Sequence, residues 1–166
     1  MSSPDNILLH LAQEDQDTIR EVFAELHRRG FPEQRQRPHV TVTFSPAMHP
    51  EATQLAGQLL PEVVPATLAR VGAVIFGIKR KQTVAWLLDA PDDLSAAARK
   101  ISAANPDGRG HTWTPHLTVG LRLPREIIPD YLRALDEVTP PSFRELRAVR
   151  AGLWRPRRET YTLLAD

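Results

Sequence analysis

Two four-residue stretches constrain this chain more than any other feature: Pro38-His39-Val40-Thr41 and Pro115-His116-Leu117-Thr118, 77 residues apart. Each heads an alternating run. Val40, Val42 and Phe44 interleave with His39, Thr41 and Thr43, and Leu117, Val119 and Leu121 interleave with His116 and Thr118. A period of two predicts a strand with one apolar and one polar face, so each histidine and its threonine leave the same side of a sheet, about 6 to 7 Å apart along the strand. With six histidines, twelve threonines and fifteen prolines in 166 residues, chance expects roughly 0.04 copies of Pro-His-x-Thr. Two copies on two amphipathic strands point to a paired site.

The surrounding pattern repeats with them. Asn6 to Ala12 reads as a strand, and Ile19, Val22, Phe23 and Leu26 as a helical stripe stopped by Gly30. After the first motif strand come a second stripe (Ala52, Leu55, Ala56, Leu59), two β-like runs (Ala66 to Phe76 and Gln82 to Asp89) and the basic turn Ile78-Lys-Arg-Lys81. A third stripe (Leu94, Ala97, Ala98, Ile101), the second motif strand, and a fourth stripe (Ile128, Tyr131, Leu132, Leu135) follow. The chain closes with strands over Ser142 to Trp154 and Glu159 to Leu164, joined by the basic turn Arg155-Pro-Arg-Arg158. One domain over 1–166 is expected, α+β, with two pseudo-symmetric lobes of antiparallel sheet plus helices around a central cleft. The internal repeat of about 77 residues places the lobes at roughly 1–78 and 79–166.

Composition narrows the chemistry. Cysteine is absent, which excludes disulfide frameworks, thiolate metal sites and cysteine nucleophiles. The formal charge of +1 excludes a chain that coats nucleic acid by bulk charge, so a basic surface must be local. The N-terminal stretch MSSPDNILLHLAQEDQ lacks the form of a signal peptide, and no run reaches the ~18 apolar residues of a membrane span. A cytoplasmic monomer without membrane association is expected.

The two His-x-Thr-x stretches, His39-Val-Thr-Val42 and His116-Leu-Thr-Val119, resemble the paired motifs of the 2H phosphoesterase superfamily. Within it the chain is most similar to the 2′-5′ RNA ligase-like proteins and RNA 2′,3′-cyclic phosphodiesterases. The likeness covers the whole chain in length, motif spacing and element order. It implies His39 and His116 as the catalytic pair, Thr41 and Thr118 as phosphate ligands, and RNA ends or small nucleotides carrying a 2′,3′-cyclic phosphate as partners. It further implies hydrolysis of that cyclic ester, with ATP-independent 2′-5′ ligation as the reversal.

The residue types suit that chemistry independently. Opening a strained cyclic phosphate takes a proton from the attacking water and gives one to the departing ribose oxygen, and imidazole does either near neutrality. Threonine hydroxyls donate to the non-bridging oxygens where charge gathers. No metal or other cofactor is expected: no carboxylate lies in either motif, His111 is five residues from His116, and threonine is a poor zinc ligand. Strict alternation also places Thr43 and Arg122 on the polar faces as substrate contacts, and the matching turns make Lys79, Arg80, Lys81 and Arg157 a candidate basic rim. His10, His27, His49 and His111 are expected at the surface or in loops, and Trp113 in the core; Trp86, Trp154 and Phe76 are expected in the core, with stacking on a base as the alternative. Gly72 to Lys79 approaches a phosphate-binding GxxxxGK loop, but the lysine is one place late and the intervening residues favour a strand. Two rival readings remain: a phosphodiesterase for a small cyclic phosphate or 2′-5′ oligonucleotide, and a non-catalytic RNA-end binding module.

Overall fold

A computed structural model describes residues 3–166; Met1 and Ser2, the start of the N-terminal stretch read above, lie outside the described residues. The strands are β1 (Asp5–Leu11), β2 (His39–Ser45), β3 (Ala66–Phe76), β4 (Lys81–Asp89), β5 (His116–Pro124), β6 (Glu145–Arg155) and β7 (Thr160–Ala165). The helices are α1 (Gln13–Arg28), α2 (Pro50–Leu59), α3 (Asp92–Ala103) and α4 (Ile128–Val138). The fold is α+β, and every strand pair is antiparallel.

Each helix forms where the stripe requires it. In α1 the residues Ile19, Val22, Phe23 and Leu26 are buried, Glu14 and Asp15 occupy the first turn, and Gly30 beyond its end takes φ +96°. Acidic side chains suit the positive end of the helix dipole, and only glycine enters that φ region without strain. Leu94, Ala97, Ala98 and Ile101 do the same for α3, and Ile128, Tyr131 and Leu135 for α4. These stripes join Ile7, Leu9, Val40, Val42, Val84, Trp86, Leu117 and Val119 in one core on one face of the sheet. Each fully buried leucine or isoleucine there contributes roughly 1.5 to 3 kcal/mol. Asn6, Leu8 and His10 point to the opposite face.

The strand order is β2-β1-β6-β3-β4-β5, with β7 added to β6. The two sequence halves interleave: β6 pairs with β1, and β4 pairs with β3. The order β1-α1-β2-α2-β3 recurs as β4-α3-β5-α4-β6. At the centre, β3 and β6 pair only over Ala66–Ala69 and Glu145–Ala148. The sheet curls so far that its two ends, β2 and β5, meet. Right-handed twist makes such curling natural in a sheet of this many strands, and here it brings the two motif strands together.

Candidate active site

Both histidines stand at the first residue of their strands, each following a proline that holds the chain extended. The Nδ1 of His39 lies 2.7 Å from the carbonyl oxygen of Arg37, and the Nδ1 of His116 lies 2.7 Å from that of Thr114. A carbonyl only accepts, so in both rings Nδ1 carries the hydrogen and donates it. This leaves Nε2 as the atom that takes or gives a proton. Thr41 and Thr118 are half-buried on the same face as their histidines, and Asn6 Nδ2 donates to Thr41 Oγ1 at 3.1 Å. With its oxygen receiving that bond, the Thr41 hydroxyl keeps its own hydrogen for a substrate.

The surroundings of the two imidazoles differ. His116 packs against the Phe76 ring, with centroids 4.6 Å apart. Burial lowers its pKa, the Thr114 carbonyl opposes that shift, and the nearby charges of His39 and Arg109 add to the lowering. His39 opens instead on a pocket of about 790 Å³ whose lining includes Asn6, Leu8, His10, Arg37, Arg150, Trp154 and Tyr161. His10 is the cross-strand partner of His39 and is only 8% exposed. Burial, with Arg37, His39 and Arg150 close by, pushes its pKa down to about 4. His10 is therefore a neutral wall of the cleft, which corrects its expected place at the surface. Its position on the same strand face as Asn6 and Leu8 was the available signal.

One backbone device corrects the expected parity at several positions. On β2, Thr41 faces Leu8 and Thr43 faces Ile7, which leaves Val42 as an extra residue. On β5, Thr118 faces Ala85 and Gly120 faces Val84, which leaves Val119 extra. Each motif thus ends in a β-bulge, and a slip of one residue exchanges the two faces beyond it. Thr43 is turned inward, 5% exposed, where its Oγ1 accepts from Asn105 Nδ2 at 2.9 Å. Phe44 and Leu121, expected in the core, are turned out, at 57% and 49% exposed. Arg122 falls in a second irregularity opposite Thr83, with φ +50°, exposed, its backbone N–H bonded to Thr83 Oγ1 at 3.2 Å.

The basic turns stand apart from the histidines. Lys81 pairs with Pro124 while Leu87 pairs with His116, so Lys79, Arg80 and Lys81 lie about 20 Å away along the strand. Arg157 sits in the short turn beyond β6, next to Pro156 of the pocket lining. Of the aromatic residues, Trp86 is buried as expected, Trp113 is half-buried ahead of β5 with its Nε1 donating to the Thr41 carbonyl, and Phe76 and Trp154 belong to the cleft. His27 and His111 are exposed and His49 is partly so.

The loop from α3 to β5 ties the motifs together. Asn105 donates to Thr43 Oγ1 and to the Phe44 carbonyl, Ser45 donates to Asp107 at 2.6 Å, and Trp113 reaches Thr41. The segment feeding His116 is thereby fastened along the strand that carries Thr41. Among the described residues no three His, Cys, Asp or Glu side chains gather in a way that would hold a metal ion, and no helix is long and apolar enough to cross a membrane.

Solved structures share this fold, two of them of one protein. The structure of Kluyveromyces marxianus Usb1 with uridine monophosphate aligns with TM-score 0.54 at 13% identity, covering 96% of this chain and 97% of that one. Another structure of Kluyveromyces marxianus Usb1 aligns with TM-score 0.51 at 10% identity, covering 97% and 96%. No curated protein matches at the level of sequence. Residues 9–159 match the 2′-5′ RNA ligase superfamily, a span that holds both histidines, both threonines and both bulges, so the chain belongs to that superfamily of two-histidine phosphoesterases.

Proposed function

We propose that this chain is a cytoplasmic, metal-independent phosphodiesterase that opens 2′,3′-cyclic phosphates on RNA ends. The observation that carries the reading is the matched tethering of the two imidazoles. Each Nδ1–H is committed to a backbone carbonyl two residues upstream, and each threonine stands two residues downstream on the same face.

In the proposed mechanism His116, kept neutral by burial, accepts a proton from water at Nε2 as the water oxygen bonds to phosphorus. The bond from phosphorus to one ribose oxygen breaks, and His39 gives that oxygen a proton from its own Nε2. Thr41 and Thr118 donate to the non-bridging oxygens. Each proton transfer contributes roughly 10² to 10⁴ in rate, and each donor to a charged oxygen roughly 1.5 to 3 kcal/mol. With a ribose 5′-hydroxyl in place of water, the same steps join two RNA ends without ATP, because the cyclic ester stores the energy.

The test is incubation of oligonucleotides ending in a 2′,3′-cyclic phosphate with the protein in EDTA. Conversion to a phosphomonoester supports the proposal. A strict requirement for added zinc or manganese overturns the metal-free mechanism, and no conversion alongside tight binding leaves the binding-module reading in its place.

A further inference from the structure

The cleft is one-sided. Beside His39, β1 presents Asn6, Leu8 and His10, and β6 presents Arg150, Gly152 and Trp154 in register with them. The strand β7 then adds Tyr161 opposite Trp154. In the other half the register sets Gly72 opposite Leu87, Val74 opposite Ala85 and Phe76 opposite Thr83, so an aromatic ring matches Trp154 but no arginine matches Arg150. There, among the described residues, β3 beyond Ala69 pairs with β4 but with no counterpart of β7.

Gly152 is what makes the floor of this pocket. A Cβ at 152 would overlap the Tyr161 ring, so the absence of a side chain lets that ring lie across β6. The ring centroid is 5.4 Å from that of His10. Tyr161 is 43% exposed and Trp154 38% exposed, and both line the pocket. The volume of about 790 Å³ falls within the roughly 300–1,000 Å³ of small-ligand sites. Arg37 and Arg150 also line it; Arg150 Nε lies 3.2 Å from Asp166 Oδ1, and Arg37 Nε donates to Gln16 Oε1 at 3.3 Å. Open aromatic faces beside guanidinium groups suit a flat heterocycle joined to a phosphate.

We propose that this pocket is a nucleotide subsite: Tyr161 and Trp154 stack the base of a nucleotide next to the reacting phosphate, and Arg37 and Arg150 hold a phosphate of the same strand. The inference rests on reading the His39 and His116 cleft as a phosphodiester site. It adds that the substrate enters with one polarity, its nucleoside on the His39 side, and that at least one further nucleotide is recognised beyond the cyclic end.

Calorimetric titration with adenosine 5′-monophosphate tests it, using ribose 5-phosphate as the base-free control. Wild-type protein is expected to bind the nucleotide more tightly than the sugar phosphate. Tyr161→Ala is expected to weaken nucleotide binding by roughly 5- to 150-fold, the ~1–3 kcal/mol of a base–aromatic stack, and Tyr161→Phe to restore it. Trp154→Leu provides an independent arm if Tyr161→Ala is unstable. In turnover, a dinucleotide with a cyclic 3′ end should exceed the mononucleoside cyclic phosphate in kcat/KM, and Tyr161→Ala should abolish that advantage. Equal binding of nucleotide and sugar phosphate, or nucleotide binding unaffected by Tyr161→Ala and Trp154→Leu, overturns the inference. Tyr161-dependent binding without hydrolysis of any cyclic phosphate removes the proposed reaction and leaves the subsite standing.

Discussion

His39 and His116 are held by the same backbone device in different surroundings. Each donates Nδ1–H to a carbonyl two residues back, and each strand bulges directly after its threonine. Beyond that the halves part: His116 is desolvated under Phe76, while His39 borders an open pocket lined by arginines, His10 and aromatic rings. The likeness sets what each imidazole presents, a free Nε2 beside a hydroxyl. The difference is that burial lowers the pKa of His116 and that the pocket opens on the His39 side.

The severest way to break the comparison is to remove either imidazole. His39→Ala and His116→Ala are each expected to lower kcat/KM by at least about 10², while melting temperature changes little because both side chains are only half-buried. Wild-type turnover in either variant would end the two-histidine mechanism.

Next come the hydroxyls. Thr41→Val and Thr118→Val keep shape and strand propensity, and each should cost roughly 1.5 to 3 kcal/mol in kcat/KM, since the acceptor is charged. Asn6→Leu should cost less and act through Thr41, so it adds little to Thr41→Val in a double mutant. Full additivity would separate Asn6 from that threonine.

The pH profile sharpens the assignment of roles. A base must be neutral to act, and the lowered pKa of His116 keeps it neutral further into acid. The acid limb of kcat/KM should therefore lie below the ordinary imidazole value of about 6.5. Phe76→Ala admits water to His116 and should move that limb upward. A limb already at 6.5 that Phe76→Ala leaves in place would assign the base elsewhere.

A further effect appears in stability, read apart from the reaction. Burial keeps His10 neutral in the folded protein, with a pKa of about 4 against about 6.5 unfolded. The unfolded chain thus binds the extra proton first, and the stability is fully present above pH 6.5. It is lost as pH falls towards 4, by up to roughly 3 kcal/mol. His10→Leu installs the residue found at the matching position, Leu87, and should flatten that loss in melting curves recorded from pH 7 to 4. Parallel curves for the two proteins would show that His10 does not titrate in this way.

The lesson for reading such a chain lies in Thr43, Phe44 and Leu121. Alternation placed Thr43 with Thr41, and Phe44 and Leu121 with the core; the bulges at Val42 and Val119 exchange them. A bulge is set by pairing with a neighbouring strand distant in sequence, so no local period reveals it. His10 was missed for a related reason, since its neighbour across the strands is His39, 29 positions away.

By itself the sequence determined the seven strands, the four amphipathic helices and the four motif residues. Those depend on local periodicity, on prolines before the histidines and on residue chemistry, all of which act over a few positions. Only the tertiary structure decided that the sheet curls until β2 meets β5, that Phe76 buries His116, and that Gly152 lets Tyr161 floor a pocket beside His39. Each of these is a contact between residues far apart in the chain, and the closing of such contacts depends on the twist and register of the whole sheet.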